Sequence, residues 1–386
     1  MTDSARAEIV VDLAAIRHNV RRLREAVTRP DGSAPAVMAV VKADGYGHGM
    51  VPVARAAREA GAEWIGVATL EEAVALREAG DLGPLLTWLA VPGEDHGPAL
   101  ARDVDVSAYS IEQLTAIEKA AGAVGVTARV HLKIDTGLSR GGATRADWPE
   151  LVAAARAAEL AGSVEVVGVW SHLVASDEPE RAINDEQELR FLDAVAVAER
   201  AGLRPRWRHL ANSAAALLRP SIHFDLVRCG IATYGLDPAP GHTQGSGLVP
   251  AMTVRARLGM VKPIEPGDGV SYGHQWVADE STWLGLVPAG YGEGIPRAAS
   301  NRVDVWVAGA RRPARGRICM DQFMVDLGPD GAQLAAGDAV ELFGTGHDGA
   351  PTAQDWAEAC NTINYEIVTR IGGRFARIYV DSERDR

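Results

Sequence analysis

The chain has 386 residues, 47% of them hydrophobic and 23% charged, which is enough apolar material for a substantial core and too much for a disordered chain. At about 150 residues per domain this length predicts two or three domains, or one barrel of about 250 residues with a smaller partner. The formal net charge of −12 argues against nucleic acid or an anionic membrane surface as a partner, while leaving room for a local basic pocket for a small anion.

A β-rich run at residues 8–11 leads into Asp12, a good helix N-cap. After it Leu13, Ile16, Val20, Leu23 and Val27 recur at three- and four-residue steps, the period of a helix with one buried face. Strand-like apolar runs follow at 36–42, 64–68, 85–89, 104–108, 128–134, 164–171, 207–211 and 225–229, with helix-like segments between most of them. The segments 69–72 and 110–113 read as capping boxes. Gly61, Gly80, Gly162 and Gly202 close helical stretches. Eight continuous apolar runs alternating with helices predict an α/β fold that begins with an N-terminal (β/α)8 TIM barrel. An open doubly wound sheet is the alternative, although no GxGxxG opens the first unit.

Beyond about residue 245 the character changes. Short runs at 254–261, 283–287, 302–308 and 339–343 are separated by Pro/Gly/Asp turns, and one helix is expected at about 354–367. Residues 1–245 are therefore expected to form the barrel and residues 246–386 a C-terminal all-β domain. The Pro- and Gly-rich stretch 237–247 is the expected linker, and residues 1–12 are open to packing with the second domain. Cys229, Cys319 and Cys360 are odd in number and widely spaced, so neither a disulfide framework nor a metal site is expected. The leading MTDSARAEIV has no signal-peptide core, and no apolar run approaches the roughly 18 residues of a membrane span. A cytoplasmic location is the resulting expectation.

The segment VVKADGYGHG, residues 40–49, stands out. Lys42 ends an apolar strand, which in a barrel places it at the C-terminal mouth where active sites form. A lysine desolvated there loses basicity and becomes a nucleophile or Schiff-base former. A strand-end lysine that merely snorkels to solvent is the plain alternative. Gly45, Gly47 and Gly49 weigh against it, because they imply a backbone shaped around something. Strands seven and eight run into HLANS, residues 209–213, and VRCGI, residues 227–231, where barrels often bind phosphate. Ser213 opens an Ala-rich helix and Gly230 allows close backbone approach. Each, taken alone, is equally an N-cap or an ordinary turn.

The 40–49 segment resembles the cofactor-attachment motif of alanine racemases, and the resemblance extends from Lys42 nearly to the C-terminus. It implies a barrel joined to a β domain, pyridoxal 5′-phosphate as cofactor, and a homodimer with active sites shared between subunits. Lys42 is then the attachment point and the base acting on the D-isomer, and Tyr46 contacts the phosphate. The resemblance assigns further cofactor contacts to His172, Asn212, Ser213, Gly230, the Ile231 amide and Tyr365. Arg228 would face the pyridine nitrogen. Arginine can only donate hydrogen bonds, so that nitrogen stays unprotonated. His209 resembles a histidine that orients this arginine.

Tyr272, in VSYGH, is implied to be the second base, reaching the partner subunit's cofactor. Arg140, in LKIDTGLSR, resembles a substrate-carboxylate contact, and Lys133 matches a lysine carbamylated in many members. Met320 and Asp321, in ICMDQ, and Tyr291 complete the implied substrate site and entryway. Glu293 departs from the pattern, standing where aspartate is common. The implied activity is interconversion of L- and D-alanine, supplying D-alanine for cell-wall peptidoglycan. A racemase acting on serine or basic amino acids is an alternative. A decarboxylase of the same fold type would use an acidic residue at the pyridine nitrogen, and Arg228 speaks against it. A pyridoxal-phosphate carrier would resemble the barrel alone.

Overall fold

The computed structural model describes residues 5–382, so the first four residues of the 1–12 segment lie outside it. Strand β1 (Ala7–Asp12) precedes the barrel. Asp12 caps the helix Leu13–Val27 by accepting a hydrogen bond from the Ala14 amide at 2.9 Å, and Ile16, Val20, Leu23 and Val27 form its buried face.

Eight parallel strands follow: β2 (Ala36–Val40), β3 (Trp64–Thr69), β4 (Leu85–Leu89), β5 (Asp105–Ala108), β6 (Ala128–Lys133), β7 (Val164–Trp170), β8 (Trp207–His209) and β9 (Leu226–Cys229). Neighbours pair in sequence order from β2 to β8, and β9 returns to pair with β2. The remaining seam, between the β8 and β9 segments, is bridged by two backbone bonds. The Asp225 amide donates to the Arg208 carbonyl (3.1 Å) and the Arg228 amide to the Ala211 carbonyl (3.0 Å). These bonds make the sheet a TIM-like barrel instead of an open doubly wound sheet. Its strands are buried on both sides, hence their continuous apolar runs.

The second unit is built on β10 (Met252–Arg257), β11 (Met260–Ile264), β12 (Gly269–Val270), β13 (Trp276–Val277), β14 (Thr282–Val287), β15 (Asp304–Val307), β16 (Ala310–Arg315), β17 (Phe323–Gly328), β18 (Ala339–Phe343) and β19 (Ala376–Val380). Nine strands make one sheet in the order β11-β14-β17-β16-β15-β18-β10-β1-β19, while β12 and β13 form a separate ribbon. Strand β1 pairs antiparallel with β10 and parallel with β19, so the start of the chain closes the sheet of its end.

Three local expectations are corrected. The run at 254–261 breaks at Leu258-Gly259, where the Gly259 amide turns to the Leu286 carbonyl at 2.8 Å, and two strands result. The helix expected at 354–367 is two helices, Ala353–Cys360 and Asn364–Arg370, because Asn361 adopts a left-handed C-cap at φ 54°. Thr69 and Glu72 form a reciprocal capping box, but Gln113 accepts from the Tyr109 amide instead of the Ser110 amide. No helix among the described residues is long and apolar enough to cross a membrane.

The two units meet at the barrel mouth. Asp44 pairs with Arg377 at 2.7 Å. Gly47 has φ +81°, and a Cβ there would lie 2.4 Å from the Val368 carbonyl oxygen in helix Asn364–Arg370. Only glycine allows that contact without displacing the backbone.

Candidate active site

Immediately after β2 the backbone takes an unusual course. Ala43, Asp44, Gly45, Tyr46 and Gly47 all have positive φ, between 50° and 81°. Each non-glycine residue there costs about 1–2 kcal/mol relative to the right-handed form, so the surroundings must hold the turn. They do so with many bonds. The Ala43 amide donates to Glu72 Oε1 (2.7 Å), Gly45 to the Val41 carbonyl (2.8 Å), Gly49 to the Asp44 carbonyl (2.7 Å) and Met50 to Asp44 Oδ1 (2.9 Å). His48 is fully buried beneath the turn, with Nδ1 within 3.1 Å of the Gly45 and Tyr46 carbonyls. The turn points Lys42 and Tyr46 into the mouth of the barrel.

Lys42 Nζ lies 6.0 Å from the Tyr46 ring and 5.9 Å from the Trp88 ring. Burial pushes its pKa below the ordinary lysine value, Arg140 and Arg228 push the same way, and Glu72 opposes them. Tyr46 packs against Tyr234 (4.8 Å between ring centres) and Tyr365 (6.2 Å). Burial pushes all three phenols upward, so they remain neutral donors.

The ends of β8 and β9 supply small polar groups beside Tyr46. Asn212, not Ser213, is the N-cap of helix Ser213–Leu218: its side chain accepts from the Ala215 amide (3.1 Å) and donates to Ser176 Oγ (2.7 Å). Ser213 is thereby freed from capping. Its hydroxyl accepts from the Gly230 amide (2.9 Å) and the Ala232 amide (3.4 Å), which ties the two loops together next to Ile231. A Cβ on Gly230 would sit 2.4 Å from the Tyr46 hydroxyl, so the missing side chain keeps this cradle open. Hydroxyls and amides gathered in this way suit a phosphate.

Arg228 is buried at the end of β9. It donates to the Ser171 (2.8 Å) and Leu210 (3.1 Å) carbonyls, and it lies 3.3 Å from His209 Nδ1 and 3.2 Å from His172 Nδ1. Burial pushes the guanidinium down to about 9, still cationic at neutral pH. Burial and the surrounding positive charges hold both histidines well below the ordinary value, hence neutral. The Trp170 ring stacks on His209 (5.4 Å, 5° between planes), and it carries Arg228 and Lys133 Nζ at 4.9 and 4.3 Å. Lys133 falls to about 8, first through burial and then through Arg228 and Arg140. Lys42, Lys133, Arg140 and Arg228 thus make a cationic pocket inside an acidic protein.

The remaining predicted residues sit apart. Tyr272, 71% exposed, lies between β12 and β13 and lines an open cleft of ≈ 790 Å³ with Cys319. Met320 and Tyr291 are 54% and 43% exposed, and Asp321 is exposed as well. The groups acting on Lys42 are Tyr46, Trp88, Glu72, Arg140 and Arg228; none comes from this second cluster. Glu293 is buried and turned inward. It accepts from the Gly290 amide (2.9 Å) and binds the Arg374 guanidinium, which also reaches Asp321 (2.6 Å). Its carboxylate therefore braces the Tyr291 turn from behind.

Sequence reading missed Glu72, Trp88, Trp170, Ser176 and the pair Asp105–His131. Glu72 carried a visible signal as the acidic residue that ends the capping box 69–72. The others gave none, because strand residues such as Trp88, Trp170, Asp105 and His131, and Ser176 in the loop after β7, acquire their roles only inside the closed barrel.

Comparison with known proteins gives one consistent result. Residues 11–238 match the family model described as alanine racemase, N-terminal domain, and residues 251–379 the one described as alanine racemase, C-terminal domain. The chain is 54% identical over 379 residues to an alanine racemase of Salinispora tropica, covering 98% of this chain and 99% of that protein. It is 52% identical over 376 residues to one of Mycolicibacterium smegmatis, covering 97% and 95%. Among solved structures, the alanine racemase from D-cycloserine producing Streptomyces lavendulae superposes with a TM-score of 0.94 at 52% identity, covering 97% of each chain.

Proposed function

The chain belongs to the alanine racemase family and is an amino-acid racemase, and from this premise we propose that it interconverts L- and D-alanine using pyridoxal 5′-phosphate and two bases. The observation that carries the reading is the juxtaposition of Lys42, its amine destabilised as an ammonium, with buried Arg228 and the Ser213–Gly230 cradle. These residues fit the cofactor. Lys42 would hold its aldehyde carbon, Arg228 its ring nitrogen, and Tyr46, Ser213, Gly230, the Ile231 amide and Tyr365 its phosphate. Asn212 and His172 support the cradle and the arginine respectively. When bound, pyridoxal 5′-phosphate supplies an electron sink that acidifies the α-proton of the attached amino acid.

The chain's own groups do the rest. Arg228 donates but does not surrender a proton, so the sink is weaker than one with a protonated nitrogen. That weakness limits side reactions such as transamination, and it demands a strong base on each face. Lys42 takes or returns the proton on the D face. Tyr272 does so on the L face, reaching in from a second copy of the chain. Arg140 and the Met320 amide would hold the substrate carboxylate, with Tyr291 and Asp321 narrowing the entryway to favour a small side chain.

A carbamate on Lys133 would add a negative group amid Arg140, Arg228 and Lys42, and the amine at about 8 is neutral often enough to react with carbon dioxide. A carbamate signal from carbon-13 bicarbonate that vanishes in Lys133→Met would establish it. In the cell the product would be D-alanine for peptidoglycan.

A chiral assay of the holoenzyme against a panel of L-amino acids tests the activity: alanine should dominate, and turnover of serine or a basic amino acid at the same rate would refute the alanine assignment. Mixing inactive Lys42→Ala and Tyr272→Phe chains tests the sharing. A shared site restores about a quarter of wild-type activity on random reassociation, and no restoration means each chain serves itself.

A further inference from the structure

Behind Arg228 a hydrogen-bonded file crosses the barrel interior. Arg228 NH1 lies 3.3 Å from His209 Nδ1, and His209 Nε2 lies 2.9 Å from His131 Nδ1. His131 Nε2 in turn lies 3.2 Å from Asp105 Oδ2. The other carboxylate oxygen, Oδ1, takes Arg129 Nε at 2.6 Å. Both histidines and the aspartate are buried. Their strands are β9, β8, β6 and β5, so the file exists only because the barrel is closed.

We propose that Asp105 and His131 are positioning residues which fix the tautomer of His209, and through it the direction in which Arg228 donates. The argument is one of donors and acceptors. An arginine only donates, so His209 Nδ1 must accept and its proton sits on Nε2. That proton can go only to His131 Nδ1, which must accept and carry its own proton on Nε2. The His131 Nε2 proton then meets a carboxylate, which only accepts. Every link has one donor and one acceptor, and both ends are pinned, by a guanidinium at one and a carboxylate at the other. A neutral polar group in place of Asp105 would break this one-way order. Burial of His209 keeps it from relieving the constraint by taking a second proton.

Two neighbours stiffen the file. Trp170 stacks on His209 and donates its indole N–H to Ser107 Oγ at 2.9 Å, and Ser107 Oγ donates to the His131 carbonyl at 3.0 Å. Trp64 packs edge-on against His131 at 5.6 Å. The histidines therefore have little freedom to flip their rings.

The tautomer order rests on this geometry alone, whereas its consequence for a ring nitrogen rests on the function proposed above. Nitrogen-15 NMR of histidine-labelled holoenzyme reads the tautomers directly. In the wild-type protein His131 and His209 should both carry the proton on Nε2, and a His209 protonated on Nδ1 or on both nitrogens would overturn the proposal without any variant.

In Asp105→Asn, Arg129 keeps the amide oxygen and turns the amide NH2 toward His131. Both histidines should then switch to the Nδ1 tautomer, opposing an N–H to Arg228. With His131→Phe in the same chain the file is cut, and the Asp105→Asn change should no longer move His209. A His209 that keeps its tautomer in Asp105→Asn sinks the inference.

Racemase kcat should fall about 10-fold or more in Asp105→Asn, by analogy with losses seen when an outer hydrogen-bond partner of a liganded histidine is removed. A switched His209 with unchanged kcat would leave the file standing and overturn instead the role proposed for Arg228.

Discussion

One chain builds the two halves of the candidate site to very different degrees. The barrel half is buried and braced: Lys42, Tyr46, Ser213, Gly230 and Arg228 are held by a left-handed turn, a shared hydroxyl and a file of histidines. The half on the second unit presents Tyr272, Met320 and Tyr291 on exposed surface. Tyr272 stands 71% exposed in an open cleft, whereas Lys42 already has the desolvation a neutral amine needs. The difference teaches that the first half is preorganised by folding, while the second is left exposed and, under the proposed sharing, would be completed by another copy of the chain.

The sharpest way to break this contrast is Lys42→Ala. Removing both the proposed attachment point and one of the proposed bases should cost at least about ten-thousandfold in kcat and abolish borohydride fixation of cofactor. A label fixed on another lysine would remove Lys42 from the preorganised half. Next comes Tyr272→Phe, expected to cost about a hundred- to a thousandfold. Solvent-proton exchange should be lost from L-alanine and retained from D-alanine; equal losses from both would mean that Tyr272 is not face-specific.

Bracing can be tested without touching the chemistry. Gly47→Ala drives a methyl toward the Val368 carbonyl at a positive φ, and should destabilise the protein by about 1–3 kcal/mol in urea unfolding. An unchanged midpoint would show that the turn is not clamped by the second unit.

The cationic pocket predicts a pH effect of similar or smaller size. The Lys133 pKa is about 8 in the folded chain and near the ordinary lysine value unfolded, so between these values the unfolded chain binds more protons. Stability should therefore rise with pH from about 8 to about 10, by roughly 1–3 kcal/mol, in bicarbonate-free buffer. Lys133→Met should flatten that rise, and an identical slope in the variant would place the lysine in water. Smallest is Glu293→Asp, which shortens the brace behind Tyr291: KM for alanine should change less than about tenfold with kcat preserved. A collapse of kcat would give Glu293 more than a bracing role.

Much of this contrast is written locally. Lys42 is legible because a strand, a glycine-rich turn and a lysine are adjacent in sequence. Gly230 is legible in the same way, beside a strand end, whereas Tyr46 and Arg228 are singled out by the family resemblance of their segments. The break at Leu258-Gly259 and the left-handed Asn361 were missed, since apolar periodicity runs across both without a Pro to mark them. Ser213 was a poorer guide than its neighbour. Asn and Ser are both good caps, and only the backbone decided that Asn212 takes the Ala215 amide and leaves Ser213 to bind the next loop.

The amino-acid sequence alone determined the alternation of strands and helices, the change of character near residue 245 and the segments that carry the family resemblance. All of these depend on residues close together in the chain. Tertiary structure decided what depends on distant partners. It closed the barrel through the Asp225 and Arg228 amides, enlisted β1 into a sheet with β10 and β19, and aligned Asp105 and His131 behind Arg228. Hydrogen bonds and burial are set by neighbours in space, and a strand carries no local mark of which residue will face it across a closed sheet.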